Sequence, residues 1–243
     1  MRTSNKILIG TFLSMLIILT AIHGAIYAKY KNNKFITSAR LHEERYDSYK
    51  IDGVLSVSLT GLDHVTVIPS DTARFEIEKE QGAKPLHTFS NGVLAVKGDT
   101  MITYKDGTTS RERNYRDIIL YLPYTQQIKS DFCNLSVKGA RDTSKTLSIQ
   151  FELNGTELQL GYTDSEDKTA TGNFRNIIVS KANGGLVEIS KNAFINKMEL
   201  TLQSGRFEDG GATFDSLSVS ADDNSSISIT GKNISKTKFI SKP

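Results

Sequence analysis

The segment that decides the fold lies in the second half of the chain and divides into three lines of 20 residues: FRNIIVSKANGGLVEISKNA from Phe174, FINKMELTLQSGRFEDGGAT from Phe194 and FDSLSVSADDNSSISITGKN from Phe214. Each line opens with Phe, continues as an apolar strand and then reaches a turn rich in Asn, Gly, Ser or Asp. A fixed period of strand and turn indicates one supersecondary unit that is repeated along the chain.

A unit of this size is too small to bury its apolar face alone, so neighbouring units must stack and share one interior. We therefore expect an all-β fold: a right-handed parallel β-helix or β-solenoid of short coils, with Asn and Gly at the corners because they adopt positive φ. Phe174, Phe194 and Phe214 are expected to lie in one column. The alternative is an antiparallel sandwich with evenly spaced hairpins.

Alternating strands also precede the repeats. Leu55, Val57 and Leu59 alternate with serines, which predicts a half-buried strand with these three side chains inward. The dipeptide Asn91-Gly92 stands between two short apolar runs and predicts a two-residue hairpin. No amphipathic helix of useful length is expected after residue 48.

An apolar segment, Ile7 to Ala28, lies near the N-terminus, and its 22 residues contain no Asp, Glu, Lys or Arg. About 20 apolar residues suffice to cross a hydrocarbon core as a helix. With Arg2 and Lys6 before it, the segment predicts an uncleaved transmembrane anchor, and a cleavable signal peptide that ends at Ala28 is the alternative. We divide the chain into an N-terminal anchor or signal segment (1–28), a juxtamembrane linker (29–48) and a head domain (49–243).

The charge distribution bears on partners and on orientation. Residues 1–45 contain seven Lys/Arg and two Glu, a net charge of +5, so the rest of a chain with net charge +3 carries −2. Such a domain lacks the basic excess that nucleic-acid binders need. Lys29, Lys31 and Lys34 would by count place their side of the membrane in the cytoplasm, whereas a short basic N-tail suits a signal-anchor with an exported domain.

The segment 105–116 is basic and contains a tyrosine. Arginine forks suit sulfate, phosphate or uronate groups, and a tyrosine ring can stack on a sugar. The candidate ligand-contact residues are therefore Arg111, Arg113, Tyr115 and Arg116. The alternative is a long solvated hairpin loop.

The sequence contains no catalytic or metal-binding motif. Its histidines lack metal-ligand spacing, and the oxygen-rich turns 164–167 and 222–224 lack the spacing of a calcium loop. Cys133 is the single cysteine, which excludes an intramolecular disulfide, and its strand-like context predicts a small buried side chain. We therefore expect no enzyme activity, no cofactor and no metal.

The strand pattern is similar to that of a known family. The segments that carry the similarity are 49–59 (YKIDGVLSVSL), 65–68 (VTVI), 91–96 (NGVLAV) and 118–123 (IILYLP), followed by the repeats. Over residues 46–235 the chain resembles the auto-transporter adhesin, head GIN domain family, common in Bacteroidetes, although its repeats lack the frequent Ser-Gly-Ser-Gly turns of that family. The resemblance implies an exported β-helical envelope protein with an adhesive role, and it carries over no site residues.

Three functions are compatible with these patterns. The first is a non-enzymatic, single-pass protein of the cell inner membrane whose head lies in the periplasm and binds carbohydrate or protein. The second is a membrane-tethered β-helix scaffold that polymerises as a homo-oligomer, like bactofilins, and it would allow a cytoplasmic head. The third is a small polysaccharide-degrading enzyme, for which two acids would have to face one cleft.

Overall fold

A computed structural model of the chain describes residues 3–31, 38–79, 83–140, 142, 144–145, 147–161 and 172–240. The chain forms two compact units, one that ends at Arg45 and one that begins at Tyr46. The first unit is helical, and the second consists mainly of strands. The protein is thus strand-rich with one N-terminal apolar helix, as predicted.

Helix α1 (Thr3–Lys31) contains the predicted apolar segment. Its stretch Lys6–Lys31 has 26 residues and is long and apolar enough to cross a membrane. At 1.5 Å per residue that stretch spans roughly 39 Å, against about 30 Å for a hydrocarbon core. A signal sequence has the same character, so the helix is compatible with both predicted alternatives. A short polar helix, α2 (Ser38–Arg45), lies within the predicted linker.

Among its described residues, the second unit contains two sheets of nine strands each and one separate hairpin. The first sheet contains, in spatial order, β1 (Tyr46–Lys50), β4 (Arg74–Glu78), β9 (Asn114–Leu122), β3 (Leu62–Pro69), β11 (Asn134–Val137), β13 (Glu157–Leu160), β15 (Leu186–Ile189), β17 (Arg206–Glu208) and β19 (Ser226–Ser228). The second sheet contains β20 (Thr237–Phe239), β18 (Thr213–Ala221), β16 (Ala193–Gln203), β14 (Gly172–Asn183), β12 (Leu147–Asn154), β10 (Thr125–Asp131), β2 (Ser56–Thr60), β6 (Val93–Lys97) and β5 (Leu86–Ser90). The hairpin consists of β7 (Thr100–Thr103) and β8 (Thr109–Glu112), and a four-residue helix, α3 (Gly231–Ile234), lies between β19 and β20 in the chain.

From β10 onward, consecutive strands alternate between the two sheets, and each pairs in parallel with the next strand of its own sheet. In the second sheet, Ile177 pairs with Met198 and Met198 with Leu217. The repeat visible in the sequence is therefore a unit with one strand in each sheet. Consecutive hairpins would pair antiparallel, so that alternative is wrong for this part of the chain.

Antiparallel strands end both sheets on the side nearer the N-terminus. In the first sheet β1 pairs with β4 and β4 with β9, and in the second sheet β5 pairs with β6. The β5–β6 turn consists of Asn91 (φ 51°) and Gly92 (φ 74°). Positive φ at both central residues is what a type I′ turn requires, so the predicted hairpin is confirmed.

One continuous apolar cluster contains the inward side chains of both sheets. Because strands pair in register, these side chains stack in columns. The longest column of the second sheet comprises, in spatial order, Phe89, Leu94, Val57, Ile128, Phe151, Val179, Leu200, Val219 and Phe239. Within it, the two end members are exposed and the others are buried.

The predicted phenylalanine column is only partly right. Phe174 and Phe214 are fully buried, but the residue paired with both of them is Ile195. Phe194 pairs with Asn173 and is half-buried, so its predicted place in the column is wrong. The two steps are 21 residues (195 − 174) and 19 residues (214 − 195), and an offset of one residue turns a side chain to the opposite face.

Side-chain hydrogen bonds also connect the turns that follow β10, β12 and β14. Asn154 Nδ2 donates to Asp131 Oδ1 at 2.5 Å, and Asn183 Nδ2 donates to Asn154 Oδ1 at 2.7 Å. The following corner brings the backbones close: a Cβ at Gly185 (φ 77°) would overlap the carbonyl of Thr156. This position therefore requires glycine.

A buried carboxylate holds the last turns of the described chain. Asp209 is 1% exposed, and its Oδ2 accepts hydrogen bonds from the Thr230 amide (2.9 Å), the Thr230 hydroxyl (2.9 Å) and Asn233 Nδ2 (2.7 Å). Its Oδ1 accepts from the Gly211 amide at 3.1 Å. Burial alone raises the pKa of Asp209, but these hydrogen bonds outweigh burial and leave the pKa below its ordinary value.

Replacing Phe174 with Ala should lower the free energy of unfolding by about 3–5 kcal/mol, because a fully buried ring is lost from its column. Phe194→Ala is the matched control, since it removes the same atoms from a half-buried site and should cost markedly less. Urea denaturation of the full chain in detergent, followed by circular dichroism, measures both losses. Equal losses would contradict the register described above.

Asp209→Asn should lower the free energy of unfolding by about 1–3 kcal/mol at neutral pH, because the amide cannot accept all of these hydrogen bonds. The folded-state pKa is depressed, so the stabilisation is complete above the unfolded-state pKa and is lost as the pH falls through the folded-state pKa. The wild-type and variant melting temperatures, followed by circular dichroism, should therefore converge in acid. A difference that stays constant with pH would show that the charge of Asp209 contributes nothing.

Candidate ligand-binding groove

An open groove of about 480 Å³ lies on the outward face of the second sheet. It crosses four neighbouring strands, β2, β10, β12 and β14, and includes Val54 and Leu55 just before β2. Period-two alternation positions its residues. In β10 and β12 the inward side chains belong to the core, and the side chains between them point outward into the groove.

Two rows of outward side chains form the floor of the groove. In the first row Gln127 pairs with Ser56 on one side and with Gln150 on the other, and Gln127 Nε2 donates to Gln150 Oε1 at 3.5 Å. Gln150 pairs in turn with Ile178. The second row, also in register across three strands, consists of Thr125, Ser148 and Asn176.

The residues that line the groove are all uncharged. Further along the same strands the outward side chains are charged, and Lys129 Nζ lies 2.8 Å from Glu152 Oε2. The hydrogen bond from Lys129 lowers the pKa of Glu152. These two charges therefore pair with each other, and the groove itself is electrically neutral.

Two carboxamide oxygens at the groove have no hydrogen-bond partner among the described residues: Oε1 of Gln126 and Oδ1 of Asn176. Gln126 is 5% exposed, and its Nε2 donates to the Val54 carbonyl at 3.2 Å, which fixes the orientation of its amide. Both oxygens are buried, and Gln126 stands on the inward side of β10 together with Ile128, so neither oxygen is exposed to the open groove.

Leu55 supplies an apolar wall and is 71% exposed. The prediction that it shares the inward face with Val57 and Leu59 is wrong for Leu55 alone. The amides of Leu55 and Ser56 both donate to the carbonyl of Gly92, at 2.7 and 3.2 Å. Two residues thus oppose one, as in a bulge, and the alternation restarts at Ser56.

Arg111, the first of the predicted contact residues, is bound to acids. Its Nε lies 2.8 Å from Asp99 Oδ2, and its Nη2 lies 2.6 Å from Asp131 Oδ2. The hydrogen bond from Arg111 lowers the pKa of Asp131. Arg111 therefore ties the β7–β8 hairpin to the end of β10.

Arg113 lies close to Arg111 because both guanidinium groups stand over the ring of Phe132, at 4.6 and 4.9 Å from its centroid. Arg113 Nη1 donates to Asn134 Oδ1 at 2.6 Å and lies 3.6 Å from Asp63 Oδ1. Phe132 has φ 56°, an uncommon conformation for a bulky residue, and these cation–π contacts hold its ring in place.

Tyr115 and Arg116 complete the predicted set. Tyr115 is exposed on β9, whereas Arg116 Nη1 donates to the backbone carbonyls of Glu78 (2.9 Å) and Lys79 (3.4 Å). The structure thus brings Arg111 and Arg113 together around one ring and gives Arg116 different partners. Anion or sugar contact by these residues stays a prediction.

A second open groove, of about 430 Å³, lies on the outward face of the first sheet and is charged. His64 Nε2 lies 3.2 Å from Asp63 Oδ2, and the Tyr46 hydroxyl donates to Asp117 at 3.4 Å. Asn134 Nδ2 also donates to Asp63, at 2.6 Å. These carboxylates are therefore engaged with neighbouring side chains.

In the part of the chain that the structure describes, no group of three or more His, Cys, Asp and Glu side chains could hold a metal ion. The Asp222 carboxylate accepts hydrogen bonds from the Ser204 amide and the Ser225 hydroxyl, and the turn 164–167 lies outside the described residues. Cys133 is buried, as predicted, and burial raises the pKa of its thiol.

Sequence reasoning missed the groove. The sequence feature that could have indicated it is the pair Gln127 and Gln150, which stand at outward positions of β10 and β12. Only the register of the two strands shows that these glutamines are neighbours. No protein-family model matches the chain, and no curated protein matches it in sequence.

Proposed function

We propose that the protein is a non-enzymatic, single-pass protein of the cell envelope whose strand-rich unit binds carbohydrate or protein partners, as an adhesin does. The groove of the second sheet carries this proposal. It is open to solvent, crosses four strands and offers uncharged hydrogen-bonding groups in rows. Its lining contains no acid, base or thiol, so it offers contacts for binding but no general acid or base, and its serine and threonine hydroxyls have no base beside them to activate them.

The finer architecture that we propose is a right-handed parallel β-helix of short coils, of the GIN-domain type. Parallel pairing between successive repeats and the alternation of strands between two sheets support the coil. Right-handed connections between parallel strands are the rule. The segments 49–59 and 91–96, which carry the family resemblance, lie at β1–β2 and at the β5–β6 hairpin.

The location that we propose is the inner membrane, with α1 as the anchor and the strand-rich unit in the periplasm. The length and apolar character of α1 support the anchor. The resemblance to exported envelope proteins supports the orientation. The near-neutral charge of the chain beyond residue 45 is compatible with this location and gives no support for nucleic acid as a partner.

The full chain in detergent should be retained on an array of envelope polysaccharides and immobilised envelope proteins, because the groove offers many weak polar contacts in register. Retention on at least one class, above that of a detergent-only control, is the expected result. Absence of retention on every surface would contradict the proposal. Release of reducing ends from a retained glycan would overturn the non-enzymatic part of it.

A scaffold that associates end to end is the second candidate function, and the C-terminal end of the described chain favours it. Phe239, the last member of the longest core column, is 62% exposed, and Ile234 and Ile240 nearby in the chain are also exposed. Strands β19 and β20 are the edge strands of the two sheets on this side, as β1 and β5 are on the other. Apolar side chains beside unpaired strand edges favour pairing with another copy.

Orientation separates the two candidates, and the single native cysteine makes it measurable. Cys133 is buried, so wild-type protein should not react with a membrane-impermeant maleimide. Lys97→Cys introduces a thiol at a side chain that is 66% exposed. The adhesin proposal expects labelling of this variant in cells whose inner membrane is intact, whereas labelling only after lysis would favour a cytoplasmic scaffold.

A further inference from the structure

We propose that the groove of the second sheet binds a neutral polysaccharide chain laid across strands β2, β10, β12 and β14. This inference rests on the proposed binding function and narrows it to one ligand class. Its basis is the chemistry of the lining: uncharged carboxamides and hydroxyls in rows, with apolar contacts beside them.

The absence of charge among the lining residues argues against an ionic ligand. A sulfate, phosphate or uronate would leave water without gaining a cation, and desolvation of an unpaired charge is costly. The charged side chains on the strands around the groove, Lys129 with Glu152 and Lys197 with Glu199, already form ion pairs. The arginines that suit anions, Arg111 and Arg113, are bound to Asp99, Asp131 and Asn134.

The outward carboxamides specify the hydrogen-bonding character of the ligand. Gln127 and Gln150 are exposed in the first row, and each carboxamide offers both a donor and an acceptor. A sugar hydroxyl can bind to both groups, whereas the oxygens of an anionic group can only accept.

The rows match a polymer better than a single small molecule. Gln127 and Gln150 stand at equivalent positions of neighbouring strands, which lie about 4.8 Å apart. A chain of similar sugar units laid across the strands would meet a hydrogen-bonding side chain at each strand. Carboxamides donate and accept, as hydroxyls do, so each unit can be bound in both senses.

Apolar side chains complete the fit. Leu55 is exposed at the side of the groove, and Ile178 continues the glutamine row. A pyranose ring has hydroxyls at its rim and C–H groups on its faces, so it offers apolar surface to these two side chains. The groove thus combines apolar contact surface with polar groups that can orient a bound ligand.

Affinity electrophoresis of the full chain in detergent tests the inference. Gels contain a neutral β-glucan, a polyuronate or no polymer, and retardation gives the affinity. The neutral polymer should retard the protein, with little effect of added salt, and the polyuronate should not. Asn176→Ala and Gln150→Ala should each weaken binding about tenfold, the effect of one well-placed hydrogen bond.

Gln203→Ala is the matched control, because it removes an amide from the outward face of the same sheet but outside the groove, and it should bind as wild type does. Binding of the neutral polymer that is equally strong in all three variants would overturn the assignment to the groove. Retardation by the polyuronate alone, or binding of an envelope protein but of no glycan, would overturn the ligand class and leave the proposed binding function intact. No binding to any glycan or envelope protein would defeat both.

Discussion

The parallel register between the strands of successive repeats is the constraint on which the rest of the structure depends. Because side chains alternate between the two faces of a strand, one register fixes the inward columns and the outward rows together. Ile128 stacks with Phe151 in the core, and one residue earlier Gln127 lies beside Gln150 in the groove. A slip of one residue would bury the amides and expose the rings. The stability of the core and the chemistry of the groove are therefore specified by the same pairing.

Stacking brings like residues together at the corners and leaves two ends to be closed. The ladder from Asp131 through Asn154 shows that polar corner residues satisfy one another when the register holds. At the end nearer the N-terminus both sheets finish in antiparallel strands, and Phe89 of β5 is exposed there. At the other end the Asp209 carboxylate accepts hydrogen bonds from Thr230 and Asn233, whereas Phe239 is exposed. The two ends thus differ in strand direction, although an aromatic side chain of the longest core column is exposed at each of them.

The local sequence pattern predicted much of this fold, whereas features that depend on the register between distant strands could not be predicted. Alternation and turn chemistry depend on neighbouring residues, so the strand content, the Asn91-Gly92 hairpin and the burial of Cys133 could be predicted. Phe194 was misplaced because the repeat steps differ by two residues, and Leu55 because a bulge-like contact precedes its strand. The groove could not be predicted, since Gln127 and Gln150 are 23 residues apart in the chain and meet only through the parallel pairing. The acidic and amide partners of Arg111 and Arg113 could not be predicted either, because they come from strands that are distant in the sequence.

Disulfide trapping across the glutamine row tests this register most directly. In a Gln127→Cys, Gln150→Cys variant the two Cα atoms should lie about 4.8 Å apart, within the range of about 4.4–6.8 Å that a disulfide spans. Oxidation should therefore cross-link them readily, as seen by a mobility shift that reductant reverses. The control variant Gln127→Cys, Asn154→Cys should not cross-link, because Asn154 stands at the far end of β12, and buried Cys133 should take no part. No cross-link in the first variant, or an equal one in the control, would contradict the parallel register and the account built on it.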